Sequence, residues 1–173
     1  MWRLIEDARL AASPRAWLKQ RLEVMEFDEI ARFNLGLQDT LAAARIPSLA
    51  TAAYTILGFL SDDAFEDFTA WLVLQGKDRF EAALADADSI AAWIQIVAGG
   101  LGPLAEWLHV LPTAILEERG LETELEDYCD RHGTPRPEIG DFTTDREGCL
   151  AEFPELFRRY WKDPWLPQTK SRT

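Results

Sequence analysis

Two cysteines and two histidines are all that 173 residues supply, and this shortage closes several routes. Cys129 and Cys149 stand without a Cys-x-x-Cys pair, which excludes a disulfide framework and argues against a zinc knuckle. Such sparing use of cysteine fits a reducing compartment, so a cytoplasmic protein is expected. Cations are also scarce: 18 Lys and Arg face 30 Asp and Glu, a formal net charge of -12. A phosphate backbone is held by clustered Lys and Arg, so direct nucleic-acid binding is not expected. Long apolar runs are missing. The longest uncharged stretch, 89–105, is broken by Gly99, Gly100, Gly102 and Pro103, and it falls short of the roughly 20 apolar residues of a spanning helix. The N-terminus meets Arg3, Glu6 and Asp7 at once, without an apolar signal core. No dinucleotide glycine motif, phosphate loop, His-Glu-x-x-His or Gly-x-Ser-x-Gly is present.

Period-two alternation and Asn-Gly or Asp-Gly hairpin turns are lacking as well. What remains is helical periodicity over a chain that is 47% hydrophobic. The expectation is an all-α, single compact multi-helix domain over 1–163, with a short C-terminal amphipathic helix and a frayed tail over 164–173. Trp2, Ile5 and Arg9 share a face. Ser13-Pro14 caps and opens a second helix. Ile30, Phe33, Leu37 and Leu41 stripe a third, which ends near Arg45 because Pro47 disfavours helix before it. The helix restarting at Ser48 is apolar all round and belongs near the domain centre. Gly76 fits a left-handed cap. A further helix runs through Ile90, Trp93 and Val97, stopped by Gly99-Gly100. Pro103 begins the next, and Pro112 should kink or divide it. Leu121, Leu125, Tyr128 and Cys129 share a face. The last helix spans about Phe153 to Trp161.

The acidic surplus is uneven. Residues 1–60 carry 7 basic and 7 acidic side chains, 61–130 carry 3 and 16, and 131–173 carry 8 and 7. Within the acidic third, Ser61 caps a helix on which Asp62 and Glu66, and Asp63 and Asp67, lie one turn apart. Such pairs either offset the positive helix end or hold a hard cation. Asp86 and Asp88 are candidate partners from a second segment, and His109 is a candidate base. Cys129 with His132 is a weak zinc or nucleophile pair, because Cys129 falls on an apolar stripe. Trp161 and Trp165, in a Pro-rich tail, are the best candidates for exposed aromatic contacts with a partner.

The runs Ala53-Tyr54-Thr55-Ile56-Leu57-Gly58, Ser61-Asp62-Asp63-Ala64-Phe65, Phe68-Thr69-Ala70-Trp71-Leu72 and Gln75-Gly76 are followed by Phe80 through Ala91. Together they resemble a bacterial family of unknown function, number forty-two-forty among such domains. Trp2 to Arg9 and Phe153 to Leu156 resemble its opening helix and its closing segment. The chain departs from that pattern at Gly58-Phe59-Leu60, where members carry Gly-Gly-Cys. The resemblance implies no activity and carries over no catalytic residue, but it raises the weight of Asp62, Asp63 and Glu66 as a site.

Two functions are expected from these residues. The first is a non-catalytic interaction protein, immunity- or antitoxin-like, presenting its acidic face to a basic protein partner. The alternative is a metal-dependent enzyme or small-molecule binder using Asp62, Asp63 and Glu66, with His109 beside them. No cofactor is expected, and the oligomeric state is left open.

Overall fold

Helices make up all the regular structure among the residues that the computed structural model describes, which are 1–94 and 105–161. In order they are α1 (Trp2–Arg9), α2 (Pro14–Leu22), α3 (Phe27–Ala43), α4 (Pro47–Leu57), α5 (Asp62–Leu74) and α6 (Lys77–Ala85). A 3₁₀ helix (Ala87–Ala92) follows, then α7 (Glu106–Glu118), α8 (Glu122–His132), α9 (Arg146–Glu152) and α10 (Pro154–Tyr160). The Val97 position, the Gly99-Gly100 stop, the start at Pro103 and the tail over 164–173 lie outside the described residues.

Local chemistry explains most boundaries. Ile46 is extended, at φ −123° and ψ 147°, as a residue before proline must be, and Pro47 opens α4. The Ser61 hydroxyl accepts from Ala64 N at 3.2 Å and caps α5. At the end of α7, Gly120 takes φ +68°, while Gly120 N bonds Glu117 O and Leu121 N bonds Leu116 O, both at 2.9 Å. This left-handed closure satisfies carbonyls that the helix leaves open.

Five expectations need correction. The helix expected through Ile90 and Trp93 is a 3₁₀ helix that ends at Ala92. Ser13 precedes Pro14 in an extended conformation, but its hydroxyl accepts no cap bond. Gly76 has positive φ (97°) but an extended ψ of 163°, so it turns α5 directly into α6 instead of closing a left-handed cap. Of the kink or division expected at Pro112, the division does not occur, since α7 runs unbroken from Glu106 to Glu118. The residues on both sides of Pro112 pack into the core, with Leu108, Leu111, Ile115 and Leu116 buried, and that burial outweighs one lost backbone bond. Finally, α9 was not expected. Asp145 caps it by accepting from Gly148 N at 2.9 Å.

The buried side chains, from Ile5 of α1 to Leu156 of α10, form one core. Helix α4 buries Leu49, Ala50, Thr51, Ala52, Ala53, Thr55 and Ile56. Its small residues let α5, α9, α10 and the 3₁₀ helix approach closely. Helix α5 packs against α1, α3, α4, α6 and α7, so its buried face, centred on Phe65 and Phe68, organises the middle of the molecule. The segment 133–145, without regular structure, is strapped over this bundle. Arg45 Nε donates to Pro137 O at 2.7 Å, and Thr143 N donates to Thr51 Oγ1 at 2.9 Å.

Candidate functional site

The acids singled out on α5 stand in different surroundings. Asp62 and Asp63 stand exposed in its first turn, where they offset the positive helix end. Glu66, one turn on, is ion-paired with Arg136 of the strap. The second acidic segment has a structural task. Asp86 Oδ1 accepts from Asp88 N at 3.0 Å, and the Asp88 carboxylate accepts from Glu155 N at 3.0 Å and Leu156 N at 2.8 Å, capping α10. Among the described residues, no three His, Cys, Asp or Glu side chains gather where a metal ion could be held.

The surroundings of Asp67 on α5 push its carboxyl up. Burial is the main cause, followed by repulsion from Glu106; His109 opposes this, and Asp63 and Glu66 add to it. A carboxylate raised in the folded state lowers stability once it ionises, so the penalty is absent below its ordinary value of 3.8 and present at neutral pH. Asp67→Asn is therefore expected to raise the thermal midpoint at neutral pH and to lose that advantage in acid. Thermal melts of both proteins across this range check it, and an equal difference at every pH would refute the assignment.

The thiols are not poised for chemistry. Cys129 is half-buried and receives Asn34 Nδ2 at 3.5 Å, and Cys149 is buried near Thr143 O at 3.7 Å. Burial pushes both upward, away from the thiolate a nucleophile or metal ligand needs. The His132 ring lies tilted against Tyr128, with ring centroids 4.7 Å apart. Trp161 is not the exposed aromatic expected: it is half-buried, stacked on Phe157 at 4.9 Å and near Tyr54 at 6.2 Å. Trp165 lies outside the described residues.

Two features stand out instead. One is a cavity of about 270 Å³ between α3, α5, α7 and the strap, whose wall includes Arg45, Glu66, Thr69, His109 and Arg136. It unites Glu66 with His109, as the alternative reading expected, but with two arginines in place of Asp62 and Asp63. The other is the surface of α8 and the end of α7. Glu117, Glu118, Glu122, Glu124, Glu126, Asp127 and Asp130 are all exposed, and none is ion-paired among the described residues. Arg119, the lone base in that stretch, is turned onto the C-terminal end of α2, donating to Glu23 O at 2.8 Å and Met25 O at 2.9 Å.

Residues 1–115 match the model of a family described as a protein of unknown function, DUF4240. The chain belongs to this family. No curated protein and no solved structure matches it. The DUF4240 match runs from α1 into α7 and so includes Trp2–Arg9 and the whole of 53–91. It takes in Arg45, Glu66, Thr69 and His109 of the cavity wall but ends before Arg136, before the acidic surface of α8 and before Phe153–Leu156. Arg45 and Arg136 were missed in the sequence. The only local hint was an arginine between Pro135 and Pro137, and nothing in the spacing tells that it meets Glu66, 70 positions away.

Proposed function

We propose that this DUF4240 protein is a non-catalytic, cytoplasmic interaction protein that docks a basic protein partner on the acidic surface of α8. The observation that carries the proposal is the set of seven exposed carboxylates over 117–130, unpaired among the described residues. Glu122 and Glu124 stand in the favourable first turn of α8, but the rest of the arrangement works against the helix. Glu122, Glu126 and Asp130 follow one another at i, i+4 spacing, where like charges repel by about 0.2–0.5 kcal/mol per pair. Asp127 and Asp130 also sit toward the negative C-terminal end of α8, the unfavourable end for an anion. A basic partner would relieve both costs, and complementary charge would speed its approach.

The test uses wild-type protein and the triple variant Glu122→Gln, Glu126→Gln, Asp130→Asn as baits in extracts of the native host. The wild type should retain a basic protein at low salt and release it at high salt, and the triple variant should not retain it. The same variant should be more stable at low salt, by about 0.4–1 kcal/mol for the two repulsive pairs removed, as read by urea denaturation. Equal capture by both baits would remove the support for this surface, as would capture indifferent to salt. The alternative built on Asp62, Asp63 and Glu66 has no such support, since two of these face solvent and the third faces Arg136.

A further inference from the structure

We propose that the cavity between α3, α5, α7 and the strap binds a small oxyanion, a carboxylate or a phosphate monoester. The inference is independent of the acidic surface on α8. In a chain of net charge -12, the wall of this cavity carries two guanidinium groups, Arg45 and Arg136, against one carboxylate, Glu66. A local positive balance inside an acidic protein concentrates anions there.

Arg45 makes the strongest case. Its Nε is committed to Pro137 O at 2.7 Å, while its Nη1 is buried and finds no acceptor among the described residues. A guanidinium cannot shed its proton, so Arg45 keeps a permanent positive charge on the wall of the cavity, which favours an oxyanion there. Nδ1 of His109, on the same wall, is likewise buried and unpartnered among the described residues.

Arg136 is held in place before any ligand arrives. Pro135 and Pro137 fix their own φ angles and favour an extended backbone at Arg136. Glu66 engages its Nη2, and the planar fork has further donors to offer. Thr69, Thr134 and Gln38 add hydroxyl and amide groups to the wall, and Leu41 and Ala42 add an apolar side. At about 270 Å³ the cavity lies at the small end of ligand sites, which suits a compact organic acid or phosphate ester. Glu66 has a double effect. It positions Arg136, but its charge opposes an anion and competes for the same guanidinium.

The chain's two histidines make the test direct. His109 lines the cavity, whereas His132 is exposed on α8, so their ring signals in NMR report the site and its control. The full-length protein is titrated with inorganic phosphate and, separately, with acetate, at fixed pH and ionic strength. Saturable movement of His109 with His132 unmoved is expected for at least one probe, and the tighter probe identifies the head group as phosphate or carboxylate. Arg45→Gln and Arg136→Gln should each weaken that probe about 10-fold or more, as expected for a lost hydrogen bond to a charged group. Glu66→Gln should tighten it several-fold, a gain that a purely structural role for Glu66 does not give. Because Arg45→Gln also loses its bond to the strap, Arg136→Gln and Glu66→Gln keep the test decisive if that variant unfolds. The proposal is overturned if neither probe moves His109 saturably, if both histidines move alike, or if Glu66→Gln weakens binding.

Discussion

Gly76→Ala is expected to destabilise the protein by about 2–4 kcal/mol, lowering the thermal midpoint by about 6–12 °C for a chain of this size. Two effects combine. At φ +97° and ψ 163°, Gly76 occupies a region essentially closed to residues with a side chain. A Cβ placed there would also lie 2.7 Å from Glu6 Oε1 and 3.1 Å from Arg9 Nε. The Glu6 carboxylate is not free to move aside without loss. It accepts Lys77 N at 2.8 Å, capping α6 from α1, and it holds Arg9 Nε at 2.5 Å.

Gly58→Ala is the control. Gly58 also has positive φ (78°), but a Cβ added to it would meet nothing within 4 Å, so only the backbone strain of about 1–2 kcal/mol applies. Urea denaturation of both variants measures the difference. If Gly76→Ala costs no more than Gly58→Ala, the contact with Glu6 is irrelevant. The Lys77 N–H is the main reason that the Glu6 carboxyl sits below its usual 4.5, with Arg9 adding to it. An acid lowered in the folded state stabilises above its unfolded value and loses that contribution as pH falls through the folded one. The stability gap between wild type and Glu6→Gln should therefore close below pH 4.5.

Asp88→Ala is expected to cost about 2–3 kcal/mol and to loosen α10 selectively. Both carboxylate oxygens are engaged, one by Glu155 N and the other by Leu156 N, and hydrogen bonds to an ionised group are the stronger kind. The other end of α10 is tied to the same segment. Arg159 Nη1 donates to Ala91 O, and Tyr160 Oη donates to Ile94 O at 3.1 Å. Removing the first clamp leaves Leu156, fully buried, dependent on the second. Hydrogen exchange should show lost protection in α10 well beyond that in α3 or α5. Asp88→Asn, which keeps one acceptor oxygen and no charge, should fall between the two. A ligand-holding Asp88 would behave differently: its alanine variant would leave α10 protected, and that outcome would dismiss the capping role.

The expectations that held share a physical basis, because each depends on neighbours within a turn or two. Ser61 caps α5 because its hydroxyl and Ala64 N are three residues apart. Pro47 separates α3 from α4 because a proline constrains the residue just before it. The apolar circumference of α4 marks it as buried wherever its neighbours lie. Pro112 does not divide α7 because a local rule was outweighed by burial on both sides of it. Helix α9 was missed because seven residues give too short a period to register.

The candidate sites divide in the same way. Of the acidic surface of α8, only the charge surplus over 61–130 was read from the sequence; that its exposed part, unpaired among the described residues, lies on α8 was not. Nor was the cavity. Arg45, Glu66, His109 and Arg136 come from separate segments of the chain, and no spacing along it encodes their meeting. Asp88 shows the limit most plainly, since a carboxylate in sequence is equally a metal ligand, a surface charge or a cap, until a partner 67 positions away takes it.

The sequence by itself thus determined the all-α class, most helix boundaries, the family and the concentration of negative charge in 61–130. These follow from periodicity, capping and composition, which are short-range or additive properties. Only the tertiary structure decided what each carboxylate is for. Asp88 and Glu6 became caps for distant helices, Glu66 became the partner of a strap arginine, and the acids of α8 were left facing solvent. The reason is that a charge acquires its role from the groups packed within a few ångströms of it, and folding, not spacing along the chain, selects those groups.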